Sequence, residues 1–275
     1  MIRHRHMGPG DLRTVLGWAA EEGWNPGLDD ADAFLAADPD GFFLTEDGEA
    51  PVAAISVVNH GPGFAFLGLY LCRPEYRGQG IGHALWRHAI GHAGDRTIGL
   101  DGVPAQQANY ARSGFVHAGE TVRYVGPIPG RRGAGIRPAG PGDLDDLIAL
   151  EAAASGTPKP AYMGAWFAGT DNRRTFVLTE GGRTVGLVTI RRCRSGAKVG
   201  PLVAPDTEGA TALLAHAAAA MGPEVTIDLP HGTDGLARHC LDLGMAPSFR
   251  TARMYRGTPP MRGPAVYAVG TLEIG

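Results

Sequence analysis

The spacing of apolar residues in the first half of the chain predicts helices and strands in a regular order. Leu12, Val15, Leu16 and Ala19 recur at helical spacing behind Asp11, which can cap a helix. Short apolar runs bounded by turn residues predict the strands that follow. The predicted elements are two helices (12–19 and 30–35), three strands (42–45, 52–59 and 64–72), a helix (80–94), a strand (97–101), a helix (105–113) and a strand (121–125) that closes the sheet.

The same pattern begins again after a linker rich in glycine and proline at 127–135. The matching segments are 140–144 with 8–12, 177–180 with 43–46, and 255–257 with 124–126, at offsets of 131 to 134 residues. Such steady registration indicates a duplicated domain of the same topology. We therefore expect a first domain at 1–130 and a second at 134–275, with a final strand in the last eleven residues.

A glycine-rich segment lies between the third predicted strand and the helix after it. Gly78, Gly80 and Gly82 leave the backbone bare, so successive N–H groups can point into one concavity at the positive end of the helix. With the cation of Arg77, this predicts a pyrophosphate site. No Lys-Ser/Thr pair follows, as a P-loop requires, and the third glycine of a dinucleotide fingerprint would fall at His83. An ordinary tight turn is the alternative.

The spacing Arg-x-x-Gly-x-Gly from Arg77 to Gly82 resembles the acetyl-CoA pyrophosphate loop of the GNAT N-acetyltransferases. Downstream, the segment from Tyr110 to Phe115 resembles the Tyr-x-x-x-Gly-Phe element of that family. Over its whole length the chain resembles a YitH-like branch of tandem GNAT proteins. The resemblance implies an α/β fold (α+β, with a mixed sheet) built as two tandem GNAT domains.

The resemblance also implies how the cosubstrate acetyl-CoA is held. Backbone groups of Leu71 and Cys72 would pair with the pantetheine arm. The residues expected at the pyrophosphate are Arg77, Gly78, Gln79, Gly80, Ile81 and Gly82. Tyr110 looks like the general acid that also contacts the cosubstrate, since a phenol of pKa about 10 can protonate a thiolate of pKa about 8.5. A core tyrosine packed against Phe115 is the alternative.

The second copy lacks these features at the matching positions. A shorter stretch, 200–211, replaces the glycine loop, and Glu208 stands near the place of Arg77. A carboxylate there would repel a pyrophosphate. Cys240 stands opposite Tyr110, so the tyrosine element is missing as well. We expect this domain to be degenerate, to have lost cofactor binding, and to serve as a scaffold or as a wall of the acceptor site.

The general base does not follow from the same motif, because the strand at 64–72 carries no Glu, Asp or His. Asp101, at the end of the neighbouring strand, is the best placed carboxylate, and Glu22 and His60 come next. Water is a further alternative, and Asp101 before Gly102 is equally suited to a turn or a helix cap. A base contributes ~10² to 10⁴ in rate, so its absence would slow the domain without stopping it.

The acceptor site is predicted in the loop after the first helix. Trp24, beside Asn25 and Glu22, is suited to contact an acceptor, although a Trp that fills the core fits the pattern as well. With His60, these are the predicted substrate-binding residues. The carboxylates that suggest a cationic acceptor are Glu21, Glu22, Asp29 and Asp30.

Together these features predict an acetyl-CoA-dependent N-acetyltransferase. It would act on the amine of a small, cationic acceptor through a ternary complex in the first domain, and a peptide or protein N-terminus is an alternative acceptor. The rival hypothesis is a non-catalytic acyl-CoA-binding module or sensor. The missing strand carboxylate and the degenerate second copy favour that rival.

The composition of the chain argues against several classes of partner. A net charge of -3 and a pI near 6.4 over 275 residues provide no basic field for nucleic acid. No apolar run reaches ~18 residues, so we expect no membrane span.

Cys72, Cys193 and Cys240 lie far apart, which indicates free thiols in a reducing, cytoplasmic compartment. His88 and His92 have a spacing that can bind metal, but a solvated helix face is favoured and no metal is expected. The oligomeric state stays open.

Overall fold

Both halves of the chain fold into the same order of helices and strands. The structure is a computed structural model that describes residues 1–263 and 265–275. The first half contains β1 (Ile2–His6), α1 (Pro9–Glu21), α2 (Asp30–Ala37), β2 (Phe42–Asp47), β3 (Ala50–Asn59), β4 (Phe64–Cys72), α3 (Ile81–Ala89), β5 (Thr97–Gly102), α4 (Gln107–Arg112) and β6 (Val116–Pro127). The second half contains β7 (Ile136–Pro138), α5 (Leu144–Ser155), α6 (Pro160–Phe167), β8 (Arg173–Glu180), β9 (Arg183–Arg192), β10 (Ala197–Val203), α7 (Thr207–Met221), β11 (Glu224–Pro230), α8 (Asp234–Asp242), β12 (Ala246–Arg256) and β13 (Val266–Ala268). The predicted duplication is confirmed.

Within the described ranges, no helix is both long and apolar enough to span a bilayer.

The strands join in one mixed sheet of 13 strands. Their order is β1-β2-β3-β4-β5-β12-β6-β11-β10-β9-β8-β7, with β13 paired to β10. Among the strands of the described residues, β4 with β5 and β10 with β11 pair in parallel, once in each half, and the other pairs are antiparallel. The predicted mixed sheet is therefore confirmed.

The two halves exchange their last strands. Residues 121–127 of β6 pair with β11 of the second half, and residues 252–256 of β12 pair with β5 of the first. The prediction that 121–125 closes the sheet of its own domain is wrong. Apolar alternation shows that a segment can cover one face of a sheet, but two halves of the same topology offer equivalent edges. Separating the halves would break both ladders.

Helices from both halves share one hydrophobic core. The buried residues of this core include members of α1 and α2 from the first half and of α5 and α6 from the second, together with strand residues of both halves. Phe34 on α2 stacks on Trp166 of α6, with ring centroids 6.3 Å apart, and both side chains are fully buried. Burying a side chain of this size stabilises the fold by about 1.5–3 kcal/mol. The halves are thus joined by packing as well as by hydrogen bonds.

Strand β4 separates from β5 partway along its length. Their parallel pairing covers Phe64–Leu67, and beyond it the register of β4 against β3 shifts. Leu69 lies at a φ of 45°, which L residues rarely adopt, so the backbone forms a β-bulge here. The strands then diverge, which leaves a groove along the second half of β4.

Candidate active site

The helix after the glycine loop begins with free main-chain donors. α3 begins at Ile81, its first turn holds no acidic residue, and no side chain of the described residues caps it. Gly78 and Gly80 have φ values of 76° and 79°, in the left-handed region that glycine tolerates, and open space surrounds both. The first turn therefore presents N–H groups and the positive end of the helix dipole to an anion.

Arg77 lies beside these donors. Its Nε donates to the carbonyl oxygen of Cys72 at 2.8 Å, and its Nη2 donates to Oε1 of Glu22 at 2.5 Å. The Arg77 and Glu22 side chains are 50% and 40% exposed. An ion pair this exposed contributes only about 0–1 kcal/mol, so the guanidinium can exchange Glu22 for a phosphate at little cost. Glu22 thus lies at the loop rather than at a separate acceptor site.

A groove of about 560 Å³ runs from β4 to the glycine loop. It collects most of the residues predicted to hold the cosubstrate, namely Leu71, Cys72, Arg77, Gly78, Gly80, Ile81 and Gly82. Gln79 does not line it, because its Nε2 donates to the carbonyl oxygen of Glu75 at 2.8 Å. The side chain of Gln79 is therefore engaged within the loop itself.

The second half fills the corresponding positions with its own chain. Asp206 caps α7 by accepting from the N–H of Gly209 at 2.8 Å, and Glu208 adds a second carboxylate to that first turn. The edge of β10 beyond its bulge pairs with β13, Leu202 with Ala268 and Val203 with Val266. The helix dipole and the strand edge that are free in the first half are both occupied here.

A small cavity of about 60 Å³ lies beside the groove. The cavity and the groove share Trp24, Tyr70, Val103, Gln106 and Phe249. Because Phe249 comes from the exchanged strand β12, the second half supplies part of the wall. A molecule in the groove and a second one in the cavity would meet along these shared residues.

Tyr110 lines this cavity and packs in the core of the first half at the same time. Its ring centroid lies 5.7 Å from that of Trp86 and 6.4 Å from that of Phe115. Burial raises the pKa of Tyr110 well above its usual value, and the neighbouring Tyr70 raises it further. The phenol therefore keeps its proton at neutral pH. Packing against Phe115 and a place at the cavity are not exclusive alternatives.

Asp101 also lines the cavity, but its carboxylate is engaged. Arg253 donates from Nε to Oδ1 at 2.8 Å and from Nη2 to Oδ2 at 2.7 Å, and the Asp101 side chain is fully buried. Proton uptake by Asp101 would leave the guanidinium buried without its counter-charge, which is costly. This geometry opposes the predicted role of Asp101 as general base and indicates a structural role instead.

Among the four residues predicted to bind the acceptor, only Trp24 lines the cavity. Asn25 instead joins the halves, because its Nδ2 donates to the carbonyl oxygen of Ser195 at 2.8 Å and its Oδ1 accepts from the Ser195 N–H at 3.3 Å. His60 is buried, with Nε2 2.6 Å from the carbonyl oxygen of Ile274. Asn25 and His60 are outside both the groove and the cavity, so a structural role replaces the one expected for each.

The carboxylates that suggested a cationic acceptor all have partners. The pairs are Glu21 with Arg73 at 3.3 Å, Glu22 with Arg77, Asp29 with Thr170 at 2.6 Å, and Asp30 with Arg191 at 3.1 Å. Asp30 is fully buried rather than at the surface. These four side chains therefore do not form an unpaired acidic surface.

The carboxyl-terminal segment brings an unexpected carboxylate to the cavity. Leu272 and Glu273 line it, and Glu273 is only 2% exposed. Within the described part of the chain, Oε2 of Glu273 has no hydrogen-bond partner. A side chain at Gly68 would overlap the carbonyl oxygen of Glu273, so glycine is needed where the segment crosses β4. In the sequence, Glu273 stands out as an acidic residue in an otherwise apolar segment, and no role was predicted for it.

Two family models match the chain, one in each half. The acetyltransferase (GNAT) family matches residues 11–115, and an acetyltransferase (GNAT) domain matches residues 147–268. Holothin acyltransferase of Pseudoalteromonas sp. (strain SANK 73390) is 36% identical over 270 residues, which cover 96% of this chain and 92% of that protein.

Solved structures share the whole two-part architecture. One structure, a chain from Pyrococcus horikoshii, has a TM-score of 0.84 at 20% identity. The alignment covers 100% of this chain and 96% of the Pyrococcus chain. A tandem GNAT protein from the clavulanic acid biosynthesis pathway has a TM-score of 0.61 at 18% identity, over 94% of this chain and 99% of its own. At these identities the likeness concerns the fold alone.

Proposed function

Because this chain belongs to the GNAT acyltransferases, we propose that it transfers the acetyl group of acetyl-CoA to the amine of a small acceptor in a ternary complex. The first half, residues 1–130, binds acetyl-CoA, and the degenerate second half, residues 134–275, is a scaffold and a wall of the acceptor site. The observation that carries the proposal is the uncapped start of α3, which lies with Arg77 in a groove next to the cavity of Tyr110.

The groove suits the three parts of acetyl-CoA. The N–H groups at the start of α3 and the Arg77 guanidinium are donors for the pyrophosphate. The edge of β4 at Leu71 and Cys72, beyond its pairing with β5, is available to the amides of the pantetheine arm. Acetyl-CoA supplies the acetyl group as an activated thioester. Main-chain N–H groups at the bulge of β4 are the proposed donors to the developing oxyanion.

One acetyl-CoA per chain is proposed, because the second half offers no equivalent site. The carboxylates of Asp206 and Glu208 at the start of α7 would repel a pyrophosphate. The β10 edge is already paired with β13. Cosubstrate binding in the second half would require both features to be displaced.

Tyr110 is proposed as the acid that protonates the departing thiolate. Its ring is held by Trp86 and Phe115, and its phenol keeps its proton at neutral pH because burial raises the pKa of Tyr110. A thiolate that leaves beside this O–H can take its proton as the carbon–sulfur bond breaks. The tyrosinate then regains a proton from the nitrogen of the new amide.

The cavity favours a small amine with an apolar body. Most of its lining side chains are apolar, among them Trp24, Leu69, Leu100, Val103 and Phe249. Because the carboxylates near Trp24 are already paired, they offer no counter-charge to a cationic group elsewhere on the acceptor. The relative that covers nearly the whole chain is a holothin acyltransferase, so holothin is the first acceptor to test.

Two measurements test this function together. Isothermal titration calorimetry with coenzyme A should give one site per chain, and acetyl-CoA at 100 times its Kd should stabilise the protein by about 2.7 kcal/mol. Thiol release from acetyl-CoA should occur with holothin or with members of a panel of small apolar amines, but not with the matched alcohols. Coenzyme A binding without turnover of any amine would establish the non-catalytic module instead, and failure to bind coenzyme A would overturn both.

A further inference from the structure

The carboxyl-terminal segment passes from the second half into the first and is fixed on both sides of Glu273. Before it, β13 pairs with β10, and the N–H of Val269 donates to the carbonyl oxygen of Asp228 at 3.3 Å. After it, the carbonyl oxygen of Ile274 lies 2.6 Å from Nε2 of His60, and that of Gly275 accepts from Nζ of Lys159 at 3.0 Å. The backbone at Glu273 is therefore held in place.

Glu273 is buried where the carboxyl-terminal segment lines the cavity. It is 2% exposed, it lines the cavity together with Tyr110, and Oε2 accepts no hydrogen bond from the described residues. An unsatisfied buried carboxylate lowers stability, and buried polar groups in folded proteins are nearly always paired. A ligand donor in the cavity would satisfy it.

The charges around Glu273 reduce the cost of burying it. Arg123 on β6, Lys198 on β10 and Arg191 on β9 each interact electrostatically with its carboxylate. Nη1 of Arg123 and Nζ of Lys198 donate to the carbonyl oxygen of Trp24, at 2.9 and 2.8 Å. These two cations are therefore directed at a main-chain oxygen, and among the described residues neither donates a hydrogen bond to Glu273.

The other titratable groups of this region are bonded or neutral. Asp228 on β11 binds Arg123 through two hydrogen bonds, at 2.7 and 2.8 Å. Asp101 is held by Arg253, as described above. Burial raises the pKa values of Cys193 and Tyr110 and thereby keeps both neutral, and it lowers the pKa of Lys198. Among the described carboxylates that line the cavity, Glu273 is the one free to accept a proton.

We propose that Glu273 is the general base, which removes the proton that the ammonium form of the acceptor must lose before it attacks. The inference rests on the proposed function and assigns the role that Asp101 cannot fill. A residue of the second half would thus complete the active site of the first. The small cavity limits the acceptor to an amine that can bring its nitrogen between Glu273 and Tyr110.

The proposed reaction removes two protons from the acceptor nitrogen. The ammonium gives one proton to the Glu273 carboxylate, and the free amine attacks the thioester carbonyl carbon. The carbon–nitrogen bond forms, the carbon–sulfur bond breaks, and Tyr110 protonates the thiolate. The second proton lost by the nitrogen returns to the tyrosinate. Glu273 then releases its proton to solvent, so the products are the amide, the thiol and one proton.

The test compares Glu273→Gln with wild type and with Glu120→Gln, a control at an exposed glutamate. We expect Glu273→Gln to lower kcat by ~10² to 10⁴, the usual contribution of a general base. Its defect should shrink as pH rises toward the pKa of the acceptor ammonium. Calorimetric coenzyme A affinity should stay within a factor of about two of wild type, because the groove does not include Glu273.

A second acceptor separates base catalysis from positioning. An amine that is already neutral at the assay pH does not have to lose a proton before it attacks. Glu273→Gln should therefore approach wild-type turnover with such an acceptor. Equal loss with neutral and protonated amines, undiminished turnover, or loss of coenzyme A binding would each overturn the inference. Wild-type turnover in the same assay keeps the proposed function separate, since it can hold while this inference fails.

Discussion

Asp101 and Arg253 form a two-bond ion pair between the halves of the chain, with Nε to Oδ1 at 2.8 Å and Nη2 to Oδ2 at 2.7 Å. Asp101 lies on β5 of the first half, and Arg253 is its register partner on the strand that the second half contributes beside it. The exchange of strands therefore neutralises the carboxylate that stands nearest to the predicted chemistry. It also places Phe249 and Thr251 of the same strand in the cavity wall.

Replacing Asp101 should destabilise the protein. Asp101→Asn leaves Arg253 buried without its counter-charge, and breaking a buried pair in this way costs about 3–5 kcal/mol. Urea unfolding should show this as a lower midpoint, and the double variant Asp101→Leu/Arg253→Met should recover most of it. If Asp101→Asn unfolds at the wild-type midpoint but loses turnover and the acidic limb of its pH profile, Asp101 is the base after all.

Removing Arg77 should weaken coenzyme A binding. Arg77→Ala removes a charge-assisted hydrogen bond worth about 1.5–3 kcal/mol, so Kd should rise ~10- to 100-fold. Calorimetric titration at two salt concentrations measures the Kd, and Arg87→Ala, at an exposed position of α3, is the matched control. Equal weakening by both variants would show that net charge matters and not the position beside the glycine loop.

Removing the phenol of Tyr110 should slow turnover and spare binding. Tyr110→Phe keeps the ring contacts with Trp86 and Phe115 but cannot protonate the thiolate, so kcat should fall by ~10² to 10⁴. Steady-state thiol release and coenzyme A calorimetry separate the two effects. Tyr124→Phe, in the core of the second half, is the control and should retain kcat. Full activity of Tyr110→Phe would show that this tyrosine only packs.

The anchor of the carboxyl-terminal segment should weaken in acid. Burial and the charge of Lys159 lower the pKa of His60 to about 3, with Asp38 opposing this shift. Because an unfolded histidine titrates near ~6.5, the stabilisation is complete above that pH and falls as pH drops toward about 3, by at most ~1.4 kcal/mol per unit.

Urea unfolding between pH 7.5 and 5 measures this effect. Wild type should lose stability with acid more steeply than His60→Gln, while His117→Gln, at an exposed histidine, should follow wild type. Parallel slopes for wild type and His60→Gln would contradict the buried, neutral state of His60.

Short segments of the chain were sufficient to predict the phosphate end of the site. The bare backbone of Gly78 and Gly80 and the neighbouring Arg77 act within one turn of chain, so their spacing reveals the free start of α3 without knowledge of the rest of the fold. The repeated Gly-Pro-Gly-Asp-Leu segment likewise marked the duplication, because each copy forms the start of its first helix locally.

The acceptor end depends on contacts that span most of the chain. Asp101 and Arg253 are 152 residues apart, and His60 and Ile274 are 214 residues apart. Which residues form these pairs depends on the sheet edges that the last strands join, and both halves offer similar edges. Sequence alone therefore established two acyltransferase-like domains and predicted one phosphate-binding loop, since both rest on local periodicity and glycine spacing. Long-range pairing settled that Asp101 is bound by Arg253 and that Glu273 lies at the cavity, with no partner for its Oε2 among the described residues. Burial and charge neutralisation arise only when distant strands come together.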